Sequence, residues 1–498
     1  MNVLLIYPEI PDTFWSFKHA IRFIGKKASL PPLGLLTVAA MLPSEWNKRL
    51  VDANVRKLTD GDLTWADYVF ISAMVLQRES ARQIIAQCKK KGVKVVAGGP
   101  LFTIEHEEFE EVDYLVLNEA ELTLPPFLED LRQGYVRHIY TTTEFPDLQK
   151  TPVPQWDLID LDQYVTMPLQ FSRGCPYDCE FCDVTALFGH RPRTKDAEQI
   201  INELNNLYDL GWRGGVFFVD DNLIGNKRAL RNKLLPALIK WRKDKRGMSF
   251  NTQVSLNLVD DEQLMRMMVK AGFSAVFVGI ETPNESSLAE CGKVQNRNRD
   301  LVGDVKLLQR AGLQVQGGFI VGFDNDTASI FQRQIDFIQK SGIVTAMVGL
   351  LQAPLGTRLY QRLKREGRLC EQEQMSGDNV DGTTNIIPKM GIDVLREGYK
   401  RIMETIYLPE HYYQRVKTFL QEYRPQKMKI PIDFAYVLNY ALAFFRSIYR
   451  LGIIDKERVY YWKLLLWTLF RRPQSFPLAI VLAVYGYHFR KICELYVQ

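Results

Sequence analysis

Three cysteines in one short segment constrain this chain more than any other feature of its sequence. Cys175, Cys179 and Cys182 lie in the stretch Cys-Pro-Tyr-Asp-Cys-Glu-Phe-Cys, at spacings of four and three residues, directly after the apolar run Val165 to Phe171. This pattern predicts a loop that follows a strand and directs three thiols at one inorganic centre. Closed structural metal sites have four protein ligands, so three cysteines leave one coordination position open. An open position is typical of catalysis.

A zinc ribbon with His190 as fourth ligand, or three unrelated buried cysteines, are the alternatives. No second Cys-x-x-Cys pair follows the motif. His190 lies in the basic run Gly189-His190-Arg191-Pro192-Arg193, which is an unfavourable setting for the ligand of a dication. Both observations argue against zinc.

The Cys-x-x-x-Cys-x-x-Cys loop, with Phe181 before its last cysteine, resembles the signature of the radical S-adenosylmethionine (SAM) superfamily. The resemblance implies that Cys175, Cys179 and Cys182 hold a [4Fe-4S] cluster and act as catalytic and metal-binding residues. It also implies that the amino and carboxylate groups of SAM chelate the remaining iron.

The length of 498 residues predicts two or three domains. The net charge of +5 is mild and does not indicate a nucleic-acid partner. Seven cysteines, four of them scattered outside the motif, are not a disulfide framework, so we expect a reducing cytoplasm. The start of the chain has no basic segment before its apolar run, and we expect no secretory signal.

Residues 1 to 145 alternate short apolar runs with amphipathic stretches, which is typical of βαβ units on a parallel sheet. The pattern predicts strands at Val3 to Tyr7, Arg49 to Ala53, Tyr68 to Ala73, Val93 to Ala97 and Tyr114 to Leu117, and helices at Leu33 to Leu42 and Gln77 to Lys90. We therefore expect a flavodoxin-like (Rossmann-like) α/β domain, with a proline-rich linker over residues 146–164.

Ligands of such sheets bind beyond the carboxyl ends of the strands. The loops expected there include Ser72, Gly98-Gly99-Pro100 and Glu119, although Gly-Gly-Pro alone is more often a plain turn. The order of these loops, upstream of the cysteine loop, resembles the cobalamin-binding domain of B12-dependent radical SAM enzymes. The resemblance implies that Ser72, Gly98, Gly99, Pro100 and Glu119 contact cobalamin.

One departure from cobalamin-binding domains follows the second predicted strand. Many such domains carry an Asp-x-His-x-x-Gly motif whose histidine ligates cobalt, whereas this chain has Asp52-Ala53-Asn54-Val55-Arg56-Lys57. The resemblance to the methylase branch implies a displaced nucleotide tail and no histidine beneath the cobalt.

A second βα series covers residues 165–385. The apolar runs predict five further strands, at Gly215 to Val219, Phe250 to Val254, Ala275 to Gly279, Val315 to Val321 and Thr345 to Leu350. We expect a partial TIM-type (β/α)6 barrel, with its chemistry at the carboxyl ends of the strands. The polar loop Gly377 to Thr384 is expected to cover that site.

Polar residues and glycines follow the predicted barrel strands. Each is also a common cap or turn residue, so the set carries more weight than any member. The family resemblance implies that the SAM contacts are Asp221, Asn222, Gln253, Ser255, Glu281 and Gly318, together with the backbone beside Phe181. Glu281 and Gln253 are the expected contacts to ribose or methionine.

Residues 386–498 are predicted to form a helical C-terminal domain. From Arg424 onward there are 12 basic and 4 acidic residues, so the positive excess lies here. The hydrophobic stretches Phe434 to Arg450, Val459 to Arg472 and Phe476 to Lys491 each end in a basic residue, and none has the roughly 20 apolar residues of a spanning helix. Helices at a membrane interface and helices packed on the barrel or a second subunit both stay open.

The segments Tyr7 to Phe17, Leu30 to Leu36 and Cys182 to Gly189, with the aromatic C-terminal extension, resemble the subfamily that contains the hopanoid C-2 methylases. The resemblance implies SAM cleavage at the reduced cluster, hydrogen abstraction from an unactivated carbon, and methyl transfer from methylcobalamin to a hopanoid-like lipid. It further implies a ferredoxin or flavodoxin as electron donor, no nucleic acid, and a cytoplasmic enzyme that contacts the inner membrane face peripherally.

Two other functions remain open from the sequence. One is a B12-binding radical SAM enzyme acting on a tetrapyrrole or another secondary metabolite, with or without methyl transfer. The other is a non-catalytic cobalamin or iron–sulfur sensor.

Overall fold

The computed structural model of the chain describes residues 1–370, 375–378, 380–425 and 434–496, and gives the backbone path alone for residues 434–440 and 496. Two six-stranded parallel sheets follow one another along the chain, and helices make up the C-terminal part. The predicted fold class, a flavodoxin-like α/β unit, a partial (β/α)6 barrel and a helical extension, is confirmed.

The first sheet has the strand order β2-β1-β3-β4-β5-β6. Its strands are β1 (Asn2–Tyr7), β2 (Asn47–Asp52), β3 (Tyr68–Ser72), β4 (Lys94–Gly98), β5 (Tyr114–Val116) and β6 (Ile139–Tyr140). The order reverses between β1 and β3, which is where doubly wound sheets open a ligand crevice at their carboxyl edge.

Helices cover both faces of this sheet, and each face has its own apolar core. The helices are α1 (Lys18–Ile21), α2 (Leu33–Met41), α3 (Asp60–Trp65), α4 (Arg78–Lys91), α5 (Pro100–Glu105) and α6 (Ala120–Gln133). Because both faces are covered, the strands are nearly continuous apolar runs, as in β1, whose residues Val3 to Ile6 are fully buried.

In the second sheet the strands lie side by side in the order in which they occur along the chain, and the strand order is β14-β13-β12-β11-β10-β7. The strands are β7 (Thr166–Leu169), β10 (Gly215–Phe218), β11 (Phe250–Gln253), β12 (Phe273–Glu281), β13 (Gln314–Val321) and β14 (Ala346–Leu350), and the short strands β8 (Ser172–Arg173) and β9 (Arg193–Thr194) form an antiparallel pair. Parallel strands in sequence order are the arrangement of a (β/α) barrel.

Helices connect the barrel strands along the outside. They are α7 (Val184–Phe188), α8 (Ala197–Asp209), α9 (Lys227–Ala229), α10 (Leu235–Trp241), α11 (Glu262–Ala271), α12 (Glu285–Glu290), α13 (Leu301–Ala311), α14 (Ser329–Ser341) and α15 (Arg358–Arg365), with a π-helical turn at Leu230–Leu234. Burial alternates strictly along β13, so one face packs against these helices while the other, with Gly318, faces the barrel interior.

The C-terminal helices are α16 (Ile392–Tyr407), α17 (Pro409–Glu422), α18 (Phe434–Ser447), α19 (Arg458–Arg471) and α20 (Phe476–Tyr496), with a π-helical segment at Ile448–Ile454. The long helix α20 packs against the N-terminal segment, where the Phe489 ring stacks on Phe14 at 5.3 Å. The last helix therefore packs within the protein core. Packing of the C-terminal helices on the rest of the protein was one of the two arrangements that the sequence left open. No helix in the described ranges combines the length and apolar character needed to cross a membrane.

The segment between the two sheets is well packed. The proline-rich linker expected over residues 146–164 contains three short 3-10 turns, at Leu148–Lys150, Trp156–Leu158 and Leu161–Gln163. Trp156 and Tyr164 are buried, and the Tyr164 hydroxyl donates a hydrogen bond of 2.9 Å to the Asp52 carboxylate. The two sheets are thus joined by a rigid connection.

Candidate active site

The cysteine loop is held closed at its two ends by strands β8 and β9. Gly174 has a φ of +94°, and a Cβ atom there would lie 2.9 Å from the Gly189 carbonyl oxygen, so the loop entry requires glycine. The amide of Cys175 donates to the same Gly189 carbonyl at 3.3 Å. The loop from Cys175 to Gly189 is therefore fixed independently of any bound group.

The three thiols of this loop are free, and Cys179 is buried while Cys175 and Cys182 are half-buried. Burial raises the pKa of all three above the ordinary value. In the described part of the chain, no three His, Cys, Asp or Glu side chains surround one metal ion. Each cysteine of a cubane binds a different iron, so three spaced thiols on one loop fit a [4Fe-4S] cluster.

A buried cation accompanies these thiols. The Nζ atom of Lys293 lies 2.6 Å from Oε1 of Glu281. Burial acts to lower the pKa of Lys293, but the charges of Glu281, Cys179 and Cys182 raise it above the ordinary value. Thiolates and a cluster are anionic, so the Lys293 ammonium offsets their charge.

Glu281 reaches this position through an unusual backbone. It ends β12 with a φ of +64°, and the pairing of β12 with β13 shifts register between Gly279 and Glu281. Left-handed conformations of residues other than glycine cost free energy and occur often at functional sites. The irregular strand end directs the Glu281 carboxylate toward Lys293 and the cysteine loop.

The two aspartates after β10 have different surroundings. Asp220 is fully buried and accepts hydrogen bonds from the amides of Phe171 and Ser172 and from the Ser172 hydroxyl, so it braces the entry to the cysteine loop. Asp221, in contrast, has a buried Oδ2 atom without a hydrogen-bond partner, and burial raises its pKa to about 6. A buried acceptor of this kind fits an N–H donor such as the amino group of SAM.

Polar side chains after β10 and β11 form one hydrogen-bonded chain. Asn222 Nδ2 donates to Ser255 Oγ at 3.2 Å, Ser255 Oγ donates to Asn257 at 2.7 Å, and Asn257 Nδ2 donates to the Tyr177 hydroxyl at 2.8 Å. This chain connects two strand ends to the cysteine loop. Gln253 is half-buried at the end of β11 in the same region.

The barrel interior contains an aromatic contact near Gly318. A Cβ atom on Gly318 would lie 2.8 Å from the Phe277 ring, and the Trp15 ring lies 5.0 Å from Phe277. Trp15, on the loop after β1, is 45 % exposed. An apolar surface from the first unit therefore meets the inner face of β12.

Phe181 lies on the other side of the cysteine loop. Its ring is 6.2 Å from Phe323, and both pack in an apolar cluster with Cys291 and Leu359. The amide of Glu180 donates to the Cys291 carbonyl at 2.9 Å. The side chain of Phe181 anchors the loop in this cluster. The contact of the backbone beside Phe181 with the adenine of SAM stays a prediction.

At the carboxyl edge of the first sheet, Ser72, Gly98, Gly99 and Pro100 lie together. A Cβ atom on Gly99, whose φ is +89°, would lie 2.5 Å from Ser72 Oγ, and one on Gly98 would lie 2.6 Å from the Val116 carbonyl oxygen. Three strand ends therefore approach each other closely at this edge. Their contact with cobalamin stays a prediction.

The missing histidine has a structural counterpart in Asn54. Its Nδ2 donates to Asp52 and to the Pro8 carbonyl, and its Oδ1 accepts from the Ile10 amide at 2.8 Å. The side chain connects the loops after β1 and β2, so protein groups occupy both its amide nitrogen and its amide oxygen.

Two contacts bracket the edge where the units meet. Glu119, after β5, is held between Arg173 at 2.6 Å and Arg193 at 2.7 Å, both beside the cysteine loop. On the other side, the Met375 carbonyl accepts from Arg78 at 2.8 Å, and Gly377 lies against the backbone of Val75 and Leu76. The carboxyl edges of the two sheets therefore lie near each other, between these contacts.

The predicted covering loop Gly377 to Thr384 is placed at this junction, although its residue Asn379 lies outside the described residues. Asp378 is buried, its Oδ2 has no hydrogen-bond partner, and burial raises its pKa to about 6. The sequence did not indicate Lys293, Arg173 and Arg193, because their partners are distant in the chain. It did not indicate Asp378 either, because no local motif marks it.

Family models match three parts of the chain. A B12-binding domain matches residues 26–128, the radical SAM superfamily matches residues 169–338, and a domain of unknown function (DUF4070) matches residues 357–498.

Two curated relatives are similar over most of the chain. An uncharacterized methyltransferase of Synechocystis sp. is 40 % identical over 99 % of this chain and 92 % of its own length. The hopanoid C-2 methylase of Rhodopseudomonas palustris is 35 % identical over 76 % of this chain and 73 % of its own length. More distant relatives include a bacteriochlorophyllide d C-12(1)-methyltransferase of Chlorobaculum tepidum, 23 % identical over 76 % of this chain and 82 % of its own length.

Solved structures share the fold. The cobalamin-dependent SAM radical enzyme OxsB, with aqua-cobalamin and SAM bound, has a TM-score of 0.61 at 14 % identity, over 99 % of this chain and 79 % of its own. The radical SAM methyltransferase TsrM from Kitasatospora setae, with cobalamin and a [4Fe-4S] cluster bound, has a TM-score of 0.58 at 13 % identity over the full length of both chains.

Proposed function

Because this chain belongs to the family of cobalamin-dependent radical SAM methyltransferases, whose cofactors are a [4Fe-4S] cluster, SAM and cobalamin, we propose that it methylates an unactivated sp3 carbon of a hydrophobic substrate. The proposed carbon is C-2 of a hopanoid lipid. The observation that carries this substrate is the 35 % identity to a hopanoid C-2 methylase across most of the chain.

Exposed apolar side chains near the strand ends support a hydrophobic substrate. Trp15, Met74 and Leu355 follow β1, β3 and β14 and are 45 %, 36 % and 46 % exposed. Large apolar side chains left in solvent at the edge of a ligand-binding fold are typical of sites that receive an apolar molecule. A saturated ring has no acidic proton and no nucleophilic carbon, so only radical chemistry gives access to it.

Each group of residues has a separate task in this proposal. When bound, the cluster with SAM would supply hydrogen abstraction, and cobalamin would supply a methyl group that it receives from a second molecule of SAM. Cys175, Cys179 and Cys182 hold the cluster. The Oδ2 atom of Asp221 accepts a hydrogen bond from the amino group of SAM, and Lys293 offsets negative charge beside the thiols.

The remaining predicted contacts orient the ligands and exclude water. The Asn222–Ser255 pair, fixed through Asn257 to Tyr177, presents hydrogen-bonding groups to SAM. Ser72, Gly98, Gly99 and Pro100 present the strand ends of the first sheet to cobalamin. The ion pairs of Glu119 and the segment at Met375 close two sides of the space between them.

We also propose that the C-terminal helices bring the enzyme into peripheral contact with the inner membrane face, where its lipid substrate resides. A ferredoxin or flavodoxin supplies the electrons. The domains assigned in this proposal are residues 1–145 for cobalamin, 146–164 as linker, 165–385 for the radical SAM barrel and 386–498 for the helical extension.

The test is anaerobic incubation of the reconstituted protein with methyl-deuterated SAM, a reductant, cobalamin and an unmethylated hopanoid, followed by mass spectrometry of the lipids. Deuterated methyl on ring A supports the proposal. Formation of 5′-deoxyadenosine with an unlabelled hopanoid contradicts the substrate, and a chlorophyllide substrate in a parallel reaction then tests the function of the more distant relatives.

Two variants, each with a control variant, make this test specific. Replacing Cys175, Cys179 and Cys182 with alanine should abolish labelling while cobalamin binding persists, whereas Cys88→Ala, a buried cysteine on α4 far from the motif, should keep activity. Trp15→Ala should lower kcat/KM for the hopanoid by about tenfold or more, because a large apolar contact is lost. Tyr135→Ala, which removes an aromatic side chain that is 82 % exposed, is the matched control.

A further inference from the structure

A cavity of about 250 Å³ lies between the N-terminal segment and the C-terminal helices, outside the candidate active site. Its lining residues are His19, Arg22, Phe23, Arg446, Tyr449, Arg450 and Tyr487. Three of them are arginines, and no carboxylate is among these lining residues. The cavity is therefore a cationic pocket with aromatic walls.

Among the described residues, one hydrogen bond to the protein holds each of two arginines in place. Arg446 donates to the Phe23 carbonyl at 2.9 Å, and Arg450 donates to the Tyr487 hydroxyl at 3.1 Å. Asp12, on the same N-terminal segment, lies 2.9 Å from the Lys18 ammonium, so its charge is partly neutralised. A guanidinium has five N–H donors, so most donors of Arg446 and Arg450 remain for a ligand.

An exposed apolar surface adjoins this pocket. We call it the apolar ridge, and its members on α18 and the following π-helical segment are Leu442, Phe445, Tyr449 and Ile453, and on α19 Val459, Trp462, Leu466, Leu469 and Phe470. These positions recur every three or four residues, so each helix presents them on one face. Tyr449, 62 % exposed, belongs to the ridge and also lines the pocket, so the two are continuous.

The charge around the ridge is strongly positive. Residues 434 to 475 contain seven arginines and lysines and two acidic residues, Asp455 and Glu457. Glu457 lies within 2.5 Å of Arg490, which leaves little free negative charge. Apolar side chains beside clustered cations match the acyl boundary and the phosphates of an anionic bilayer, whereas a protein interface core is depleted in charge.

We propose that the pocket of Arg22, Arg446 and Arg450 binds the phosphate group of an anionic phospholipid while the apolar ridge lies in the bilayer interface. Arginine matches phosphate because its planar donors bind two oxygens at once. This inference rests on the membrane contact of the proposed function and gives that contact a specific lipid site.

The test is co-sedimentation of the full-length protein with vesicles of phosphatidylglycerol and phosphatidylcholine, compared with vesicles of phosphatidylcholine alone. The double variant R22Q/R450Q should lose about twenty-five-fold in affinity for the anionic vesicles, since each cation near such a surface contributes about fivefold. Its weak binding to pure phosphatidylcholine should not change. The double variant K243Q/R246Q, which removes the same charge near the start of β11, controls for net charge.

A second pair of variants tests the ridge. Phe445→Ser and Phe470→Ser, at side chains 64 % and 79 % exposed, should lower binding to both kinds of vesicle without lowering the melting temperature. The proposal is overturned if R22Q/R450Q binds anionic vesicles like the wild type or loses no more than the charge control. It is also overturned if soluble glycerol phosphate occupies the pocket while vesicles of either composition are not bound.

Methylation in detergent separates this inference from the proposed function. If R22Q/R450Q methylates a detergent-solubilised hopanoid like the wild type but fails on a vesicle-embedded one, the lipid site is supported. If wild-type protein binds anionic vesicles through the pocket yet methylates no hopanoid, the substrate is wrong and the lipid site stands.

Discussion

The Nη1 atom of Arg173 lies 2.6 Å from Oε2 of Glu119, and this pair joins the end of a strand in the first sheet to the entry of the cysteine loop. Arg193, at the exit of the loop, holds the other carboxylate oxygen at 2.7 Å. Glu121 adds a second contact to Arg173 at 2.8 Å. The first unit is thereby connected to the residues that bracket the three cysteines.

Glu119→Gln should lower the free energy of unfolding by about 3 kcal/mol, because it leaves the largely buried Arg193 guanidinium without a carboxylate and Arg173 with Glu121 as its remaining one. The Glu119 side chain is only 5 % exposed. Thermal unfolding and the rate of limited proteolysis measure the effect. Glu129→Gln, which breaks an exposed pair with Arg132, should have a much smaller effect on stability, and equal losses in the two variants would show that the buried position is unimportant.

Asp220 gives the stability of the protein a specific pH dependence. Burial raises its pKa to about 7, from an ordinary value near 3.8 in the unfolded chain. Between these values the folded state binds a proton that the unfolded state does not, so the contribution is complete below about pH 4 and is lost as the pH rises through 7.

Asp220→Asn removes this titration. Relative to the variant, the wild type should lose up to about 4 kcal/mol of stability between pH 4 and pH 7, and the difference should be constant above that range. Melting temperatures of both proteins across this range provide the measurement. Parallel curves for the two proteins would mean that the Asp220 carboxyl does not titrate with folding.

The elements with regular apolar patterns could be predicted from the sequence. All six strands of the second sheet and five of the first lie where their apolar residues indicate, whether these form a continuous run, as in β1, or alternate with partly exposed residues, as in β13. The sixth strand, Ile139–Tyr140, has two residues and no periodicity. Helix α6 contains Pro125 and Pro126, which local propensity reads as a break, so tertiary packing decides its course.

The candidate site was predictable to the extent that its residues share a loop or follow a strand. The three cysteines could be predicted from their motif. Asp221, Asn222 and Ser255 could be predicted from their positions directly after predicted strands. The partners of Glu119 lie 54 and 74 residues away, and Lys293 follows Glu281 by 12 residues on a turn without a motif. Such pairs arise only when the chain has folded, so local pattern does not indicate them.

Lys293→Met should make the bound cluster harder to reduce. The ammonium group near Cys179 and Cys182 stabilises the additional negative charge of the reduced form, and its loss therefore shifts the reduction potential to more negative values. A redox titration followed by electron paramagnetic resonance measures the shift, and iron content verifies that the cluster is present.

Arg358→Gln is the control for Lys293→Met. Its Nε atom lies 3.3 Å from the Asp178 carboxylate on the same loop, but the side chain is 55 % exposed, so solvent screens its charge. We expect a much smaller shift in this variant. Equal shifts in the two variants would exclude a special role for the buried ammonium group.

Gly99→Ala should weaken cobalamin retention. The new Cβ atom would lie 2.5 Å from Ser72 Oγ and 3.2 Å from the Ala73 carbonyl oxygen at a φ of +89°, so the Ser72 hydroxyl must rotate and the backbone after β3 must shift at the edge where cobalamin is expected to bind. The matched control is Gly92→Ala, which has a similar φ of +72° but no atom within 4 Å of the new Cβ. That variant should cost about 1 kcal/mol of stability through backbone strain alone and keep its cobalamin. Absorbance of protein-bound cobalamin after gel filtration distinguishes them, and full retention in Gly99→Ala would remove this strand end from the cofactor site.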